Sequence, residues 1–259
     1  MIFDKMMMKR LTSTLESKKM RHFEASYPVS PEQQRWLTFG AVLFARNGES
    51  CRTFRMLADK QTVVKMLDEW WGINSRNEAL RVVGYLSLAE GHTLFADNIY
   101  ENFILKERLD LLSQENIIDY LMSLEVADID SLGLSGADPD RIIAGLAAYK
   151  TAQKVLRDLG YKERELASIT TTAAWDYGRT GVIARDSAKA GYLDEDEAWE
   201  FMKVAAGNAA TVYSDWREYV AGYVCGRALG YGSGSTDIYA VLQYLLESKN
   251  SPFNEVSFK

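Results

Sequence analysis

The 259-residue chain is 47% apolar and 25% charged. That composition excludes wholesale disorder and suits a globular protein with a sizeable core. The net charge of −6 argues against a dedicated nucleic-acid binder, because phosphate recognition needs a basic face. Four prolines favour long helices over strands joined by many turns.

Residues 1–30 run against the bulk charge. They hold Lys5, Lys9, Arg10, Lys18, Lys19 and Arg21 against Asp4, Glu16 and Glu24, which leaves the remainder at −9. The plain reading of this basic arm is a frayed, solvated terminus. A basic arm on an acidic body could also contact RNA, anionic lipid or the body itself. Met6-Met7-Met8 is too short for a secretory h-region and basic residues follow at once, and no apolar run approaches the ~18–20 residues of a membrane span. The expectation is a cytoplasmic protein with no membrane association.

The helices follow in order. Ser30-Pro31-Glu32 reads as N-cap, first helical position and first-turn acid of a helix ending near Asn47-Gly48. A second starts at Asp59, carries Val63, Met66, Leu67, Trp70 and Trp71, and stops at Gly72. Ser75-Arg76-Asn77-Glu78 opens the next as a capping box, with its end at Gly91. Helical patterns continue over 92–110 and 113–124. Residues 131–139, rich in Gly, Ser and Asp, read as a joint, which we place at 126–138. Asp138-Pro139 restarts a helix that ends at Gly160.

The stretch 170–231 reads as three helices, the first taken from residue 168. Its turn Gly191-Tyr192-Leu193-Asp194-Glu195-Asp196-Glu197-Ala198 mirrors Gly72-Ile73-Asn74-Ser75-Arg76-Asn77-Glu78-Ala79, with glycine, cap, glutamate and alanine at equal offsets. This is recurrent turn chemistry, since the flanking helices do not match. With no strand-like alternation anywhere, the chain reads as all-α. We expect about ten helices in one compact domain over 31–259, with two lobes meeting near 135 as the alternative.

Four polar positions in 170–231 are unexpected, and three form the candidate site. On a helical wheel with Trp175 at zero, Val182 falls at about 340°, Arg179 at about 40°, Ile183 at about 80° and Asp176 at about 100°. Arg179 therefore lies on the face that should be buried, three residues from Asp176 and able to pair with it. Further on, Trp216, Val220, Tyr223 and Arg227 form one stripe. A buried guanidinium requires acidic or carbonyl partners. Asp176, Arg179 and Arg227 are thus a structural salt-bridge network or a pocket that grips a carboxylate or phosphate; a shifted helical phase would instead turn them to water. The pattern leaves open whether Arg185 joins them or faces solvent.

Trp175-Asp176-x-x-Arg179, Gly191-Tyr192, Glu197-Ala198-Trp199, Ser214-x-Trp216 and Gly226-Arg227 together resemble a bacterial domain-of-unknown-function family, numbered 1266, with YbeU- and YbeR-like members. Trp71-Gly72-Ile73, Glu78-Ala79 and Gly91-His92 are similar to the family's earlier part. The resemblance covers residues 36–230, departs at Asp215 and in the longer 126–138 region, and implies a fold unit without catalytic roles.

Other motifs carry less. Gly230–Thr236 lacks the preceding strand and Gly-Lys-Ser/Thr of a phosphate loop, and reads as a link ending in a helix cap. His22 and His92, the two histidines, lack metal-ligand spacing, and Cys51 and Cys225 lack CxxC spacing, so we expect no metal site and two buried free thiols. No cofactor motif appears. Ser214 and Thr170–Thr172 have no neighbour in sequence to activate them. Trp70, Trp71, Trp175, Trp199 and Trp216 read as core. The expected role is non-enzymatic: a helical module that binds a protein partner, in the manner of an immunity or adaptor protein. The alternative is a ligand- or anion-binding protein or enzyme using the Asp/Arg cluster.

Overall fold

The computed structural model describes residues 2–91, 93–124, 131, 132, 134 and 139–259. It is all-α, with no strand among the described residues. His92 and most of the expected 126–138 joint lie outside them. The chain divides into two units, each assembled from separate stretches. The first holds 1–91, 176–217 and 237–259; the second holds 92–175 and 218–236.

The first unit contains α1 (Ile2–Leu15), α2 (Lys18–Ser26), α3 (Pro31–Thr38), α4 (Ala41–Arg46), α5 (Lys60–Trp71) and α6 (Arg76–Ser87). The predicted starts are realised, except that the capping box expected at Ser75 is not closed: the Glu78 carboxylate accepts the Asn74 amide at 2.9 Å in place of the Ser75 amide. Ser30, Asp59 and Ser75 each accept the amide of the third residue on, from Gln33, Thr62 and Glu78, which satisfies an amide with no partner inside the helix. The single helix expected over 31–47 instead breaks at Gly40. The arm is not frayed. Leu15 and Met20 are buried, and α1 lies along the late helix Tyr239–Glu247.

The second unit holds α7 (Thr93–Ile99), which runs into a π-helical stretch at Tyr100–Lys106, a 3-10 turn at Leu109–Leu111, α8 (Gln114–Ser123), α9 (Pro139–Asp158) and α10 (Glu163–Ala167). The long helix expected to 110 therefore changes its winding at Tyr100. Helix α11 (Ala174–Ala190) starts six residues later than expected. The Asp97 carboxylate accepts the Thr172 amide at 2.6 Å and the hydroxyls of Thr171 and Thr172 at 2.7 and 2.6 Å, holding these β-branched residues outside the helix.

The chain continues through α12 (Glu195–Val212), α13 (Trp216–Tyr231), a 3-10 turn at Thr236–Ile238, α14 (Tyr239–Glu247) and α15 (Pro252–Glu255). In the first unit Trp216 stacks on Phe253 at 4.6 Å, meets Phe39 and Phe258 at 4.8 Å each, and donates its indole N–H to the Val256 carbonyl at 2.9 Å. A large aromatic thus enters the core with its polar atom satisfied. Trp175 and Trp199 are buried as expected, whereas Trp70 is 77% exposed at the last turn of α5.

The two mirrored turns meet. Gly72 and Gly191 take φ of 61° and 85°, the left-handed region that ends a helix at little cost to glycine. Arg76 then grips the Glu197 carboxylate with both terminal nitrogens, at 2.7 and 2.5 Å. The Arg76 hydrogen bonds hold Glu197 at a pKa of about 2. Near the other end the Asn208 side-chain amide donates to the Ser87 carbonyl at 3.1 Å. Helices α6 and α12 therefore start together and run parallel.

In the second unit α13 crosses tightly under the Thr172–Trp175 corner. A Cβ on Gly226 would stand 2.4 Å from the Thr172 carbonyl oxygen and 2.8 Å from Trp175 Cβ. Gly226→Ala should therefore cost about 1–3 kcal/mol in chemical denaturation. An unchanged midpoint would show that the corner yields freely.

Candidate polar site in the buried helix

Every residue from Thr172 to Ser187 is buried, so α11 is enclosed on all sides. A helix so placed is ordinarily apolar all round. This one carries Asp176, Arg179, Arg185 and Asp186, none more than 5% exposed. Each charge needs a partner inside the protein or must give up its charge.

Asp176 and Arg179 pair as their spacing predicts, through Asp176 Oδ1 and Arg179 Nη2. Asp176 Oδ2 accepts the Gly91 amide at 3.1 Å. The Arg179 guanidinium lies 5.5 Å from the Trp71 ring centre, a favourable cation–π distance. The pair thus joins α11 to the end of α5 and to Gly91, four residues beyond α6, within the first unit. Arg227 belongs to the second unit. It donates to Ser235 Oγ at 3.4 Å and lies 5.9 Å from the Trp175 ring. Trp175 also meets Tyr223 edge-on at 5.0 Å. The Gly-rich stretch before Thr236 supplies this hydroxyl partner, with Ser235 buried at φ 64°.

Arg185, left open by the sequence, is 1% exposed. Its guanidinium sits 3.9 Å from the Phe44 ring centre and donates to the carbonyls of Ser50 at 2.8 Å and Thr53 at 3.4 Å. Glu49 stands 3.9 Å from it. The Glu49 carboxylate in turn accepts the amides of Leu57 and Ala58 at 3.0–3.1 Å. Together they hold the segment 49–58, which lacks regular hydrogen bonding of its own and has half of its residues buried. Backbone groups in such a segment need side-chain partners once water is excluded. Arg52 adds a further tie, donating to Asn250 O at 2.6 Å and pairing with Glu255 at 2.8 Å.

Asp186 differs from its neighbours. It is 2% exposed, and its Oδ1 has no hydrogen-bond partner among the described residues. Burial raises its pKa to about 7; Arg185 opposes the rise and Glu49 adds to it. Arg185 Nε and Ser187 Oγ are also buried without partners among the described residues.

Beside Glu49 and Ser50, a cavity of about 10 Å³ lies among Leu15, Ala41, Cys51, Tyr244 and Leu245, room for about one water molecule. Both cysteines are free and buried. Burial pushes their thiols to about 11 for Cys51 and about 12 for Cys225, well away from the thiolate form that reacts or binds metal. Among the described residues no helix is long and apolar enough to cross a membrane.

Comparison with known proteins agrees with the motif set. The profile of the family described as "Protein of unknown function (DUF1266)" matches residues 66–258, starting later and ending later than the stretch legible by eye. One relative is the uncharacterized protein YbeR of Escherichia coli (strain K12), 39% identical over 54 residues, which are 21% of this chain and 23% of that protein. The aligned part thus spans less than a quarter of the relative's length. No solved structure matches. With some three-quarters of its length inside the family profile, the chain belongs to the DUF1266 family.

Proposed function

We propose that the protein acts by binding another protein, through the outer flank of the parallel α6–α12 pair. The observation that carries this reading is an apolar strip where the two helices run together. Tyr85 (46% exposed) and Leu88 (53%) stand on or just beyond α6, and Val204 (40%) on α12. The Asn208–Ser87 hydrogen bond brings the two walls side by side, and a Cβ placed on Gly84 would stand 3.9 Å from the Phe201 ring. Arg81 lies 5.9 Å from the Tyr85 ring, and Glu200 and Lys203 pair at 3.3 Å on the α12 side. An apolar strip with a charged rim is the usual composition of a protein-binding patch.

The rival reading assigns Asp176, Arg179 and Arg227 to an anion pocket or an active site. Such a site needs donors aimed into a solvent-reachable cleft. Asp176 and Arg179 instead face each other in the interior, which supports a structural role.

The test is a Tyr85→Asp/Leu88→Asp variant beside wild type, in affinity capture and in light scattering. Binding through this flank predicts a stoichiometric protein held by wild type and lost by the variant, at unchanged melting temperature. A partner retained by the variant would sink the assignment. A wild-type dimer that the variant converts to monomer would make the partner a second copy.

A further inference from the structure

We propose that the outward face of α1 and α2 docks on an anionic phospholipid surface. The sequence puts cations and acids together in residues 1–30; the fold engages Glu16 and Glu24 with other parts of the chain. Glu16, half-buried, is held by the C-terminal segment, accepting from Ser248 Oγ at 3.2 Å and Asn250 Nδ2 at 2.8 Å. Glu24 turns inward, where it accepts the Ser50 hydroxyl and stands 3.8 Å from Arg52. Lys9, Arg10, Lys18, Lys19 and Arg21 remain exposed. None of the five enters an ion pair among the described residues. An acidic protein of net charge −6 thus presents a cationic face on two consecutive helices.

The choice of lipid over RNA rests on what stands among the cations. Met6 is 67% exposed and Met7 39% exposed, one turn from Lys9 and Arg10. Apolar side chains interleaved with basic ones on a surface helix can enter the headgroup boundary while the cations meet phosphates. Single-stranded RNA would call for aromatic platforms. Tyr27, the exposed aromatic of this segment, already has the Arg55 guanidinium 6.0 Å from its ring. Leu15 and Met20 anchor the helices from the other side, so the face is presented already folded. Attraction of this kind is screened by salt.

The experiment is co-sedimentation of the full chain with phosphatidylserine-rich vesicles and with pure phosphatidylcholine vesicles, at low and high salt. A single-stranded RNA oligonucleotide is measured in parallel. We expect binding to the anionic vesicles alone, weakened by salt. Lys9→Gln/Arg10→Gln should weaken it about 25-fold, at about fivefold for each cation removed, with the melting temperature unchanged. Met6→Ser/Met7→Ser should also weaken it while keeping the salt response. Inert anionic vesicles at low salt would overturn the proposal, as would equal binding to both vesicle types or RNA binding with both vesicle types inert.

Discussion

Asp186→Asn should stabilise the protein by roughly 4 kcal/mol above about pH 8, and leave it nearly unchanged below about pH 4. The sign follows from where the proton resides. In the folded chain Asp186 keeps its proton up to about pH 7, whereas an unfolded aspartate releases it near the ordinary value of about 3.9. Between those values the folded state binds more protons than the unfolded state. Stability therefore falls as pH rises through the window from about 4 to 7, and the loss persists above it. Asparagine keeps the shape and cannot ionise, so it removes this slope. Urea denaturation of both proteins across that range measures the difference. A gain equal at all pH values, or a less stable variant at high pH, would show that Asp186 is ionised and satisfied in the folded protein.

Arg185→Met should cost about 3–5 kcal/mol. The loss has two parts: the Ser50 and Thr53 carbonyls lose their donor, and buried Glu49 loses the positive charge 3.9 Å away. Methionine still covers Phe44, so the deficit reports charge and hydrogen bonding more than volume. Glu49→Gln in the same background should recover part of the stability. Its amide oxygen can still accept the Leu57 and Ala58 amides without a charge to compensate. The four-protein cycle separates the charge coupling from the individual costs. A cost below about 1 kcal/mol would mean that water replaces the guanidinium in segment 49–58.

Helix starts were the most legible part of this fold, because capping is a local transaction. Ser30, Asp59, Ser75, Ser113 and Asp194, which stand at the helix starts read from the sequence, each accept the amide of the third residue on. The Asp176–Arg179 pair was legible for the same reason, its partners being one turn apart. Arg185 was not, because its partners are carbonyls some 130 residues away that no periodicity announces. Asp186 left a signal. On the wheel that placed Arg179, it falls at about 20°, between Val182 and Arg179, and so belonged to the buried set. The late start of α11 depends on Asp97, 75 residues away from Thr172. Trp70 shares its period with buried Val63 and Leu67, yet α5 carries it into solvent.

The first unit is built from residues 1–91, 176–217 and 237–259, and this order matters on the ribosome. The N-terminal third emerges early with segment 49–58 still lacking Arg185, and α1 still lacking α14. Residues 92–175 must be made before the guanidinium that closes that segment is available, and almost the whole chain before Trp216 finds Phe253 and Phe258. Growing chains commonly complete one domain before starting the next. This chain completes its first unit last, so a premature stop anywhere before the final helix leaves an unfinished core.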